Sequence, residues 1–187
     1  MRVILGALAT LAVSATDECC WCDVATPNAA KSLLDSDGEK HGLVFSDEFD
    51  SSDRDFADGQ DTKWTALNIG DTSNKGSAFY LPSQASIAVD TNITGAPVSA
   101  LLILTENASH TGESPTGEKG IYMPFRSAML QTWNKFCFTG GIMEVRARLP
   151  GAGHVGGLWP AMWLLGALAR ATYVGSTDWM WPWSFDK

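Results

Sequence analysis

The sequence predicts an all-β fold, an antiparallel β-sandwich, and three observations carry that expectation. From Leu43 to Leu149 short apolar runs alternate with clusters of Gly, Pro, Asn, Asp and Ser, the punctuation of strands joined by turns. Amphipathic helical periodicity is scarce, so the alternating strands and helices of a parallel sheet are not expected. Met143, Val145, Ala147 and Leu149 alternate with Glu144, Arg146 and Arg148, the period-two pattern of a strand with one buried face.

In chain order, strands are expected at 43–46, 85–89, 100–105, 127–132 and 136–149, the last as two strands broken at Gly140-Gly141. The apolar stretch after Leu158 holds Pro160 near its start and Gly166 inside it, and both oppose a helix. It is therefore expected as a core strand from Trp159 to Leu165, followed by a loop or one helical turn through Ala167 to Ala171. Residues 1–15 read as a signal peptide, 16–42 as an acidic leader or tether, and 43–187 as the folded domain. No internal repeat is present.

The signal reading rests on Arg2, an apolar run from Val3 to Val13 and a small-residue site at Val13-Ser14-Ala15. That run is too short to cross a hydrocarbon core of roughly 30 Å as a helix. The expected location is secreted, endomembrane or cell surface, with membrane association only if the signal is retained as an anchor. Asn92-Ile93-Thr94 and Asn107-Ala108-Ser109 are glycosylation acceptor patterns that agree with export. The formal charge is −8 at pH 7 and no block of Lys or Arg stands out, which disfavours nucleic acid and anionic membrane as partners.

Three of the four cysteines, Cys19, Cys20 and Cys22, crowd into the leader, while Cys137 stands alone. In an exported chain they are disulfide candidates, and because near neighbours such as Cys19 and Cys20 pair poorly, their partners are expected elsewhere. No His stands at ligand spacing beside the cluster, so no metal and no cofactor are expected.

Gly151-Ala152-Gly153-His154-Val155-Gly156 has the spacing of a dinucleotide-binding loop, but Pro150 precedes it and Gly157 and Pro160 follow, so no helix N-terminus is available to hold a pyrophosphate. It reads as a turn between strands. In Asp47-Glu48-Phe49-Asp50, Glu48 and Asp50 would share one strand face about 7 Å apart, a spacing that acid/base pairs can use. An acidic strand end is the plainer reading. His41, His110 and His154 lie in Gly- and Ser-rich loops without a triad arrangement. The strongest chemical signal is aromatic: Trp159, Trp163, Tyr173, Trp179, Trp181, Trp183 and Phe185 crowd the C-terminal stretch. Pyranose rings pack their C–H faces on such planes while indole N–H groups reach hydroxyls. Trp159, Trp163 and Trp181 are accordingly candidate sugar-binding residues, with a Trp-rich core as the alternative. Glu144 and Arg146 on the charged face of the 143–149 strand either are simply solvated or line a cleft that hydrogen-bonds sugar hydroxyls.

The order of Arg126-Ser127-Ala128-Met129-Leu130-Gln131, FCFTGGIMEVRARLPG and GLWPAMWLLG, preceded by LVFSDEFD at 43–50, resembles glycoside hydrolase family 16 over residues 43 to 187. Within it, TWNKFCFTGG, GLWPAMWLLG and MWPWSFD look closest to the fungal-type subgroup associated with β-1,6-glucan synthesis. Those members typically carry a membrane anchor, whereas this chain shows what reads as a cleavable signal. The resemblance implies a jelly roll of concanavalin A type with a concave glucan-binding face, and a retaining mechanism in which two glutamates of a Glu-x-Asp-x-x-Glu strand stand close enough for a covalent intermediate.

After Glu144 no glutamate occurs, and only Asp178 and Asp186 carry acid. No catalytic residue is therefore assigned, the sandwich is expected to be incomplete at its C-terminus, and the chain is expected to be an inactive N-terminal portion of such a domain. Two functions follow as expectations: part of an enzyme that hydrolyses or transglycosylates β-glucan, or a non-catalytic β-glucan-binding or glucan-synthesis accessory module. Either takes β-1,3- or β-1,6-glucan as its partner.

Overall fold

A computed structural model describes residues 2–5 (backbone only), 19–70, 75–91, 95–114, 117–154 and 156–166. The fold is all-β, and every strand pair but one for which a register is defined is antiparallel. The chain divides into two compact units, taken separately below: 1–50 with 89–100 and 138–149, and 51–88 with 101–137 and 150–187.

The first unit is organised by a four-stranded sheet. Its strands are β1 (Arg2–Leu5), β2 (Ser32–Leu34), β3 (Lys40–Ser46) and β13 (Ile142–Glu144), in the order β13-β1-β3-β2. β3 carries the core of this unit, because Leu43 and Phe45 project from it and are buried. β2 and β3 form a hairpin whose turn is built by Asp35. Its carboxylate accepts the Asp37 and Glu39 amides at 2.9 and 2.8 Å, and Gly38 supplies the positive φ of 84° that closes the turn. His41 Nε2 lies 2.6 Å from the same carboxylate, and that hydrogen bond leads the causes that hold Asp35 below its ordinary pKa. On β1, Val3 pairs with Phe45 but Ile4 with Leu43, so Val44 is the extra residue of a bulge.

β1 falls inside the segment that reads as a signal peptide. A run such as Val3-Ile4-Leu5 satisfies the apolar core of a signal and the preferences of a strand equally well. Residues 19–42 hold a disulfide, a 3-10 turn (Asn28–Ala30) and β2, rather than a loose tether. Their composition is polar because their order comes from hydrogen bonds.

The second unit holds β4 (Thr65–Ala66), β5 (Ile69–Gly70), β6 (Ala78–Tyr80), β9 (His110–Glu113), β10 (Lys119–Met123), β11 (Phe125–Ser127) and β12 (Leu130–Gln131). β11 pairs parallel with β6, β5 antiparallel with β6, β12 with β4 and β10 with β9. The hairpin β7 (Ala85–Asp90) and β8 (Val98–Ile103) has residues in both units. Phe79 on β6 is the centre of the packing and is 1% exposed. A Cβ on Gly112 of β9 would lie 2.3 Å from the Phe79 ring, so only glycine lets β9 approach so closely. His110 completes the surround with ring centroids 4.4 Å from Phe79. In the β9–β10 hairpin, Gly120, at φ 77°, is the extra residue between Lys119 and Ile121, a bulge position that glycine fills without strain.

Phe56, Trp64, Ala66, Met123 and Ala128 extend this core. Around it the Asp61 carboxylate accepts the amides of Lys63 and Trp64, both at 2.8 Å, and Arg54 Nε donates to it at 2.8 Å. Burial pushes the Asp61 pKa up, but Arg54 and those amides outweigh burial and hold it below its ordinary value. Lys135 Nζ reaches the Asp61 carbonyl, and the Arg54 guanidinium sits over Phe56 at 5.0 Å.

The expected core strand from Trp159 to Leu165 is not formed. Residues 156–166 pair with no strand among the described residues, and 158–166 are exposed. An apolar run signals a demand for burial, but burial also needs a facing surface, which composition does not reveal. The expected helical turn at 167–171 lies outside the described residues. Of the 136–149 region only Ile142–Glu144 is strand, with the Gly140-Gly141 break just before it, where both glycines take positive φ.

Candidate functional site

The aromatic candidates stand on the 156–166 segment. Trp159 is 81% exposed and Trp163 68%, with Leu158 and Met162 between and beside them also exposed. Pro160 has no amide N–H to give to a sheet ladder or a helix, which suits the unpaired backbone found here. Two bare indole faces four residues apart offer what a sugar chain requires: flat apolar surface for C–H faces and an N–H at each ring for hydroxyls. Trp181, Tyr173 and the remaining aromatic residues of the C-terminal stretch lie outside the described residues.

The polar candidates belong to the other unit. Glu144 ends β13, where its backbone pairs with Arg2, and both Glu144 and Arg146 are exposed. Met143 and Val145 are half-buried, so the alternation read from the sequence holds from 143 to 146 and fades beyond, where Ala147 and Leu149 are exposed. Next to this stretch Arg148 forms an ion pair with Asp90 at 2.9 Å, which the sequence did not signal because the partners lie far apart in the chain.

The carboxylates of the 47–50 segment do not form the acid/base pair that strand geometry would give. β3 ends at Ser46, and Phe49 takes a positive φ of 54°, so Glu48 and Asp50 are not on one strand face. Asp47 is buried and accepts the Phe49 amide at 3.0 Å. Glu48 is held by the leader: its amide donates to Asp23 at 2.9 Å, and its Oε1 lies 2.9 Å from Thr26 Oγ1. These groups do structural work.

The cysteines correct one expectation. Cys19 bonds Cys22, three residues on, instead of a distant partner. The rule against near-neighbour pairing applies to Cys19 with Cys20, whereas two intervening residues permit a turn, closed here by the Cys22 amide donating to the Cys19 carbonyl at 3.0 Å. Cys20 is exposed outside this bridge, and Cys137 is exposed and unbridged. Asn107 is exposed, and the carbonyl of Ser109 in the same acceptor pattern takes two hydrogen bonds from Arg126, at 3.1 and 2.8 Å. Asn92 lies outside the described residues. No group of His, Cys, Asp or Glu suited to a metal ion occurs among the described residues.

No solved structure matches the chain. It is similar to the β-glucan synthesis-associated protein KRE6 of Saccharomyces cerevisiae, with 39% identity over 165 residues, 88% of this chain and 20% of that protein. It is 40% identical over 164 residues to the β-glucan synthesis-associated protein SKN1 of the same yeast, and 38% identical over 165 residues to KRE6 of Candida albicans. The chain thus spans about a fifth of the length of the curated relatives it matches. The family model for the β-glucan synthesis-associated proteins SKN1/KRE6/Sbg1 matches residues 7–187, and the chain belongs to that family.

Proposed function

We propose that this chain contributes to cell-wall β-glucan synthesis by holding β-glucan on the exposed face formed by Trp159 and Trp163. The observation that carries this reading is the exposure of both indoles, 81% and 68%, in an exposed segment that joins no strand among the described residues. Isolated apolar residues on a surface need no explanation, but a run of them does. Membership of a family whose relatives are named for β-glucan synthesis supports the same ligand class.

The finer reading is a domain of glycoside hydrolase family 16 type, jelly-roll in plan, that binds β-1,3- or β-1,6-glucan without cleaving it. Glu144 and Arg146 offer hydroxyl-binding groups on their own exposed strand end. Incubation with insoluble β-1,3-glucan and β-1,6-glucan tests both parts at once. Co-sedimentation without release of reducing ends is expected, release would overturn the non-catalytic reading, and a chain left wholly in the supernatant would overturn the binding reading.

Export accompanies this role, with Asn107 as an N-glycosylation site on an exposed loop. Expressed in a secretory host, the protein is expected in the medium or the endomembrane fraction, and Asn107→Gln should remove one glycosidase-sensitive step in its gel mobility. An unchanged mobility would contradict the assignment.

A further inference from the structure

The Cys19–Cys22 bridge encloses Trp21 and immediately precedes Asp23, and those two residues fasten the leader to the end of β3. The Ser46 amide donates to the Trp21 carbonyl at 3.2 Å, the Asp23 amide donates to Ser46 Oγ at 2.8 Å, and the Glu48 amide donates to Asp23 Oδ2 at 2.9 Å. Thr26 Oγ1 adds partners at Ser46 Oγ and Glu48 Oε1. Ser46 is wholly buried and Asp47 nearly so, so these bonds reach the core from a surface loop whose sulfur atoms belong to partly exposed residues.

The ring closed by this bridge is short, with a sequence separation of 3. Cross-linking so short a loop removes little entropy from the unfolded chain, so cross-link entropy gives the bond little protection against reduction. Cys19 and Cys22 are partly exposed, and a further cysteine, Cys20, is exposed within the same loop.

We propose that Cys19–Cys22 is a reversible thiol–disulfide exchange site for low-molecular-weight thiols of the glutathione class, whose opening releases residues 21–26 from the end of β3. In the first step a thiolate attacks one sulfur of the bridge. The Cys19–Cys22 bond breaks, a mixed disulfide forms, and the other cysteine leaves as a thiolate that takes a proton. A second thiolate attacks the mixed bond, releasing the low-molecular-weight disulfide and the second cysteine. Two electrons pass from the two thiols to the protein, and an excess of the oxidised small molecule reverses both steps.

The test equilibrates the full chain in glutathione buffers of increasing reducing strength and reads two quantities on each sample. Alkylation and peptide mass spectrometry follow the Cys19–Cys22 bond, and amide hydrogen exchange follows Ser46 and Glu48. As the bond opens, exchange at these two amides should rise by at least about tenfold, while Leu81 and Glu106, hydrogen-bonded in the other unit, stay unchanged. The double variant Cys19→Ser, Cys22→Ser should show the same raised exchange without any reductant. If that variant does not fold, the reduction series on the unaltered chain still decides. A bond that resists reduction in the folded protein, or one that opens without a change at Ser46 and Glu48, would overturn the proposal.

Discussion

Thr26 Oγ1 lies 2.7 Å from Ser46 Oγ in the interior of the first unit, joining the polar leader to the last residue of its central strand. Thr26 has one hydroxyl proton, and Glu48 Oε1, at 2.9 Å, is a carboxylate oxygen that accepts. That proton is shared between Ser46 Oγ and Glu48 Oε1, both of which accept from Thr26 Oγ1, while Ser46 Oγ also accepts the Asp23 amide. Thr26→Val keeps the shape but removes both of these hydrogen bonds. It should destabilise the protein by about 1–3 kcal/mol, seen as a lower urea midpoint at unchanged slope. A midpoint equal to that of the unaltered protein would contradict this assignment.

Gly112 should tolerate no side chain. The Cβ of alanine would sit 2.3 Å from the Phe79 ring, and Phe79, 1% exposed, is enclosed by the packing around it. Gly112→Ala should lower stability by about 1–3 kcal/mol, whereas Gly59→Ala, with open space around it but a positive φ, should act through backbone strain alone. Paired thermal melts distinguish the two. Recovery of stability in Gly112→Ala, Phe79→Leu would confirm the ring as the obstacle.

Asp61 predicts an acid limb of stability. Its folded pKa is depressed, since Arg54 and two amides outweigh the effect of burial. Its contribution is therefore full above the unfolded pKa of about 3.9 and is lost as pH falls through the lower folded value. Asp61→Asn should flatten that limb, and at neutral pH it should cost about 3–5 kcal/mol because Arg54, with 16% of its side chain exposed, loses its carboxylate. Urea midpoints measured from pH 7 to pH 3 give both quantities, and an unchanged limb in the variant would assign it to another group.

The sequence made some of this legible and concealed the rest for physical reasons. β3, β7, β8, β11, β12 and β13 fall at or near expected strands because their apolar residues are continuous or alternate. β4, β5 and β6 are two or three residues long, and β9 reads His-Thr-Gly-Glu, so their strand character comes from partners rather than from their own side chains. The parallel pairing of β6 with β11 likewise carries no local mark. Residues 19–42 read as a tether because hydrogen bonds, not apolar burial, order them. At the candidate site the aromatic composition singled out Trp159 and Trp163 for a core reading and a sugar-binding reading alike. Both are exposed in the structure, which no spacing rule could have foretold.

Native affinity electrophoresis in gels containing soluble β-1,3-glucan or β-1,6-glucan asks whether the indoles of Trp159 and Trp163 hold β-glucan. Because these side chains pack against little in the structure, Trp159→Ala, Trp163→Ala should leave the melting temperature nearly unchanged. The unaltered chain should be retarded in at least one glucan, and the double variant should migrate as in a glucan-free gel. Equal retardation of the two proteins, or none for the unaltered chain in either glucan, would contradict this reading.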